Sequence, residues 1–168
     1  MSYKLDGVRV IEEGAKLIGT REIVGKKHNP IILDWAKDLG LSKVYTSDEI
    51  PWCGLFVAYV VKQAGFEPVK DPLWARNWNS FGNKQDIAML GDILVFSRNG
   101  GGHVGFYIGE DNTCYHVLGG NQNNTVNITR ILKSRCIGIR RCPWRIAQPV
   151  AVKRYFYNSK GSISSNEA

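Results

Sequence analysis

The sequence predicts an α+β fold, with N-terminal helices packed on one side of an antiparallel sheet of about five to six strands. Three observations predict it. Apolar residues recur at helical spacing three times before residue 65, the period becomes strand-like after Gly91, and the later strands are joined by turns of hairpin length. Helices first and consecutive strands second is the order of an α+β domain.

The first helix falls within residues 6 to 19, where Val8, Ile11, Ala15 and Ile18 share a face and Gly19 offers a left-handed stop. Residues 20 to 30 read as a loop punctuated by Gly25 and Asn29-Pro30. Ile31, Ile32, Trp35, Ala36 and Leu39 make a second short amphipathic helix, closed by Gly40. Asp48 to Pro51 lead into a third that starts at Cys53, with Leu55, Phe56, Tyr59, Val60 and Ala64 on one face and Gly65 as its cap. Pro68, Pro72 and Gly/Asn-rich turns interrupt the next stretch. Strands follow at Asp92 to Phe96, His103 to Ile108, Thr113 to Leu118 and Val126 to Thr129. Gly100-Gly101-Gly102 and Gly119-Gly120-Asn121-Gln122 serve as connections, and Ile137 to Arg141 and Ala151 to Tyr157 are two further strand candidates. Residues 1–157 form a single domain by this reading, and the polar stretch 158–168 is expected to be a disordered tail.

Composition narrows the function. With 168 residues, 43% hydrophobic and 22% charged, the chain is long and apolar enough for a globular core. The net charge of +7 favours an anionic polymer as partner. Between Arg130 and Arg145 the basic residues alternate with Ile131, Cys136, Ile137 and Ile139, which is strand patterning and not a nucleic-acid arm. No nucleic-acid partner is expected. No apolar run approaches the roughly 18 residues of a membrane span. The N-terminus lacks the apolar segment of a secretory signal, so synthesis in a cytosol without that route is expected. The four cysteines contain no Cys-x-x-Cys pair, which gives no spacing support for a metal site or a dithiol redox motif; no metal and no cofactor is expected. Cys136 and Cys142 are free thiols by the preferred reading, with a disulfide open in an oxidising space.

The chemistry rests on Cys53. A thiol attacks as its thiolate, and a free pKa of about 8.5 leaves little of it at neutral pH. A helix N-terminus and an adjacent imidazole both lower that value. Cys53 has the first by its position, although a lone thiol there is more often an inert core residue. His103 supplies the second: it opens a strand after three glycines, where substrate has room to approach. Alternation places His103, Gly105 and Tyr107 on the face opposite Val104, Phe106 and Ile108, so the His103 face is expected to look outward. His28 and His116 read as surface or packing residues. A third group is needed to fix the imidazole tautomer, and Asn121, Gln122 and Asp92 are its candidates. Trp52, Trp74, Trp78, Tyr107 and Gln122 are the candidate substrate-binding residues.

Pro51-Trp52-Cys53-Gly54-Leu55-Phe56-Val57, followed by Gln63-Ala64-Gly65, resembles the nucleophile segment of the NlpC/P60 and CHAP superfamily of papain-like peptidases. Gly91 to Phe96 with Gly102 to Gly109 resembles its histidine segment. A small phage and bacterial subgroup adds the lead from Gly19 to Ile32 and the Leu118 to Gln122 turn. The resemblance implies a papain-like fold and hydrolysis of bacterial peptidoglycan, at a stem-peptide bond or at the sugar–peptide amide. It makes Cys53 the nucleophile, His103 the base and Asn121 the orienting residue. It assigns no role to Asp48 or Glu49, and the Asp-rich loop of calcium-dependent relatives has no counterpart. A phage lysin or a wall-degrading toxin is implied, acting at the cell wall or periplasm through a holin, tail or secretion route. The alternatives are a cysteine hydrolase acting on a protein and a non-catalytic wall- or virion-binding protein on the same frame.

Overall fold

Eight residues of the third predicted helix are buried, on nearly all sides, so it forms the centre of the domain and not an amphipathic cover. A computed structural model describes residues 2–167. In it α1 spans Arg9–Ala15, α2 spans Pro30–Asp38 and α3 spans Cys53–Gln63. Pro30 takes the first position of α2, where its missing N–H costs nothing, and the Asn29 side chain accepts from Ile31 N at 2.9 Å. Both α1 and α2 pack on α3, and Trp35 stacks on Tyr59 at a centroid distance of 5.5 Å.

Six strands follow: β1 (Asn83–Lys84), β2 (Ile93–Arg98), β3 (Gly101–Glu110), β4 (Cys114–Gln122), β5 (Thr125–Leu132) and β6 (Cys136–Arg141). They form one antiparallel sheet in the order β1-β6-β2-β3-β4-β5, so β6 returns to the far side of β2. The α+β architecture with an antiparallel sheet is thus as the sequence predicts. Two details differ. The two-residue β1 had no sequence signal, and Ala151 to Tyr157 forms no strand. That segment exchanges two backbone hydrogen bonds with Glu110, at the end of β3, and accepts one from Leu90 N at the Lys153 carbonyl, which is too little pairing for a strand.

Side-chain alternation sorts the sheet into two faces. Ile93, Val95, Val104, Phe106, Ile108, Leu118 and Val126 join the main core with the helices. Leu94, Phe96, Tyr107, Val117 and Ile131 gather with Ala88 in a second core on the other face. The face carrying His103 and Tyr107 is therefore buried and does not look outward. The apolar residues of neighbouring strands close it.

Buried charge lies at the far end of β3 and β4. Glu110 meets Lys133, Arg154 and the Tyr107 hydroxyl at 2.9, 2.8 and 2.6 Å. Asp111 meets Arg130 at 2.9 Å and His116 Nε2 at 2.7 Å, and the other nitrogen of His116 meets the Tyr3 hydroxyl. His116 is thus a fully buried network member. Within residues 158–167, Ile163 bridges Arg130, and Glu167 is buried against Arg135 at 2.6 Å. Among the described residues no helix is long and apolar enough to cross a membrane.

Candidate active site

Cys53 is the first residue of α3, so its backbone N–H and those just after it point out of the helix end without intrahelical partners. Gly54 is required beside it. A Cβ at Gly54 would lie 2.1 Å from the Pro72 carbonyl oxygen, which crosses the first helical turn and also accepts from Trp78 Nε1 at 2.9 Å. Trp52 is fully buried at the helix start, and its Nε1 donates to Glu22 Oε2 at 3.0 Å. The Gly120 backbone lies flat on the Trp52 ring, where a Cβ would approach to 2.9 Å.

His103, on β3, is fully buried and stacks on Phe96 with centroids 6.3 Å apart. Its Nε2 lies 2.9 Å from Gln122 Oε1. The orientation of that amide is fixed from the other side, because Gln122 Nε2 donates to the carbonyls of Val117 and Asn127 at 3.1 and 2.9 Å. A nitrogen held by carbonyl acceptors forces the amide oxygen toward the imidazole. The oxygen can only accept, so His103 carries its proton on Nε2 and turns the Nδ1 lone pair to the thiol side. Nδ1 is buried without a hydrogen-bond partner, and the electrostatic partner of His103 is Cys53.

The hydrogen bond to the imidazole thus comes from Gln122, the residue after Asn121, to which the resemblance gave the orienting role. The register of β4 is shifted between Gly119 and Gln122, and Asn121 sits in a left-handed conformation at φ 56°. Consecutive strand residues face opposite ways, so only one of the pair reaches the imidazole. The Asn121 side-chain oxygen is instead buried without a partner. Asp92 is occupied elsewhere, paired to Arg141 through two contacts of 2.8 Å and accepting from Met89 N.

Burial by itself pushes the Cys53 thiol up. The facing His103 imidazole, the backbone of Val104 and the charge of Arg98 outweigh that, and its pKa falls below the ordinary thiol value. Burial likewise opposes charge on His103, yet its pairing with Cys53 and the charge of Glu167 raise its pKa. The two shifts together favour a thiolate–imidazolium pair. Cys142 shows the contrast: burial, reinforced by the Asp92 charge and only partly offset by Arg141, pushes that thiol up to about 12. All four cysteines are free.

A cleft of about 310 Å³ opens beside Cys53, lined by Ile50, Pro51, Leu73, Trp74, Arg98 and the Gly100–Gly102 turn. Trp74 is 73% exposed at its edge. The other predicted binding aromatics lie elsewhere. Trp78 is core, tied to Pro72, and Tyr107 is core, with its hydroxyl on Glu110. Trp52 supports the helix start from below, and Gln122 holds the imidazole. Asp48 also gains a place: fully buried, it accepts from Ile23 N, Asn29 N and His28, and so fastens the 23–29 loop. Sequence reasoning missed Glu22 as a partner of Trp52, although Glu22 stands in the quoted Gly19 to Ile32 segment. It missed Arg98 as well, for which no motif gave a signal. Among the described residues no group of three or more His, Cys, Asp or Glu side chains is placed to hold a metal ion.

Residues 45–121 match the model of the CHAP domain. That segment holds Cys53, His103 and Asn121 and ends one residue before Gln122. CHAP domains are generally cysteine- and histidine-dependent amidases or peptidases. A comparison with curated proteins returns no match.

Proposed function

We propose, for a chain whose residues 45–121 match the CHAP domain model, that it hydrolyses an amide bond of peptidoglycan by a Cys53–His103–Gln122 mechanism. The observation that carries this reading is the Gln122–His103 contact, which presents Nδ1 to a thiol of lowered pKa at a helix start.

The thiolate of Cys53 attacks the carbonyl carbon of the scissile amide, and the carbonyl π electrons move to its oxygen. The backbone N–H of Cys53, free at the helix end, donates to that oxyanion. His103 then gives its Nδ1 proton to the departing amine as the C–N bond breaks, leaving a thioester on Cys53. Neutral His103 next takes a proton from water, the hydroxide adds to the thioester carbon, and the thiolate leaves. Through both halves Nε2–H stays on Gln122, which holds the ring in one orientation. The bond is one within the stem peptide or the amide joining it to the sugar. The site of action is the cell wall, reached with the help of a holin, tail or secretion apparatus.

The test is clearing of purified peptidoglycan with mass spectrometry of the products. New amine termini within the stem mark an endopeptidase, and free stem peptides mark an amidase. Equal clearing by wild type and Cys53→Ala would falsify the cysteine mechanism.

A further inference from the structure

Arg98 lines the same cleft as Cys53, and its Nε donates to the Gly102 carbonyl at 3.0 Å. Arg76, arriving from the segment that follows Trp74, donates from Nη2 to the Gly101 carbonyl, also at 3.0 Å. Two guanidinium groups are thereby held by consecutive carbonyls of one glycine turn on the cleft rim. Among the described residues neither forms an ion pair. Arg130, Arg135, Arg141 and Arg154 are different, because each is neutralised by a carboxylate. A guanidinium presents five N–H donors in a planar fork, and a single backbone carbonyl satisfies only part of it. The remaining contact of Arg98 is a long one, 3.4 Å from Nη1 to Asn166 Oδ1. The opposite wall of the cleft, Ile50, Pro51, Leu73 and Trp74, is apolar.

We propose that Arg98 and Arg76 form a carboxylate-reading subsite on the rim of the Cys53 cleft, and that the substrate peptide presents a free carboxylate to it. The inference rests on the peptidoglycan reading above and deepens it: the preferred stem peptide has an unamidated acidic residue beside the scissile bond. The glycine turn has no side chains to screen the two cations, and the Arg98 charge reaches far enough to act on Cys53. A carboxylate takes the guanidinium fork in a bidentate way, whereas the carboxamide of an amidated stem offers one neutral acceptor.

The experiment compares purified muropeptides that differ only in having that side carboxyl free or amidated. Wild type is expected to show a kcat/KM about 10- to 100-fold higher on the acid, the range of a charge-assisted contact. Arg98→Gln should bring the ratio near one, and Arg98→Lys should keep part of it. Loss of Arg98 also affects the thiol, but both substrates meet the same thiol, so the ratio isolates recognition. Arg76→Gln, at an exposed position, should lower the ratio even if Arg98→Gln folds poorly. Binding of both muropeptides to Cys53→Ala, followed by calorimetry, separates recognition from turnover. Hydrolysis at equal kcat/KM on the two forms overturns the subsite and leaves the hydrolase standing. An acid preference that persists in both Arg98→Gln and Arg76→Gln also overturns it. Acid-selective binding without hydrolysis supports the subsite and removes the hydrolase reading; neither binding nor hydrolysis removes both.

Discussion

Gln122 Oε1 lies 2.9 Å from His103 Nε2, while the amide nitrogen of the same side chain is held by Val117 and Asn127. One side chain therefore ties the imidazole to the β4–β5 hairpin and selects its tautomer. Gln122→Ala is expected to lower kcat by roughly 10²–10³-fold, as loss of an oriented general base does, with a smaller change in KM. Asn121→Gly keeps the left-handed backbone of position 121 and removes a side-chain oxygen that has no hydrogen-bond partner, so it should retain most of kcat. Steady-state kinetics on one peptidoglycan fragment decides between them. A larger loss for the Asn121 variant returns the orienting role to Asn121.

The Cys53–His103 pair titrates as a unit, with the thiol lowered and the imidazole raised. Activity should rise as pH passes the lowered thiol value and fall once the imidazolium loses its proton above its own raised value. His103→Ala removes the offset and leaves burial, so the pH midpoint of Cys53 alkylation should move upward. Iodoacetamide labelling across pH measures it. A wild-type midpoint at or above that of a free thiol, about 8.5, favours a non-catalytic frame.

The helices, the antiparallel sheet and the placement of Cys53 at the start of α3 were legible in the sequence because each rests on local periodicity. The partner of His103 was not. Whether residue 121 or 122 reaches the imidazole depends on a register shift in β4, and a shift of one residue exchanges the two faces. The Gly119 to Gln122 stretch looked like a turn, but β4 runs through it and the reversal falls on Asn123 and Asn124, both left-handed. Tyr107 looked like a cleft aromatic for a related reason, whereas Trp78, outside the sheet, is held in the main core through Pro72. Alternation tells which residues share a face, and only tertiary packing tells that the face is covered by Leu94, Phe96 and Val117.

Acid should unfold the protein through the far end of the sheet. Burial disfavours the Glu110 carboxylate, but Arg154, Tyr107 and Lys133 overcome that and lower its pKa to about 2. A depressed carboxyl contributes stability above its unfolded value and loses it as pH falls through the folded one, so the loss is expected between roughly pH 4.5 and 2. Asp111 is lowered in the same direction, with Arg130 and His116 among the causes that outweigh burial. Asp111→Asn leaves buried Arg130 without its counter-charge and should cost about 3–5 kcal/mol, or roughly 6–20 °C in Tm. Thermal unfolding followed by circular dichroism checks both; a Tm unchanged in Asp111→Asn contradicts the network.

Glu167 acts on His103 from the C-terminal segment. Its carboxylate is buried against Arg135 and Ser164, and its charge helps to raise the imidazole pKa. Glu167→Gln removes the charge, so the alkaline limb of the pH–rate profile should move to lower pH while the acid limb moves less. Truncation after Tyr157 should give the same shift. A profile unchanged in both variants would show that the segment has no electrostatic hold on the site.

Gly119 offers a way to reach the orienting contact without altering any polar group. A Cβ at Gly119 would lie 2.5 Å from Gln122 Oε1 and 3.3 Å from His103 Nε2. The Gln122 amide cannot retreat easily, because Val117 and Asn127 pin its nitrogen. Gly119→Ala should therefore push the amide oxygen off the imidazole and lower kcat about as far as Gln122→Ala does. Truncating Gln122 empties the space that the new methyl needs. The double variant should then be no slower than Gln122→Ala alone, a strong departure from additivity for neighbouring sites. If the two losses multiply instead, Gly119 serves the site by a route other than Gln122.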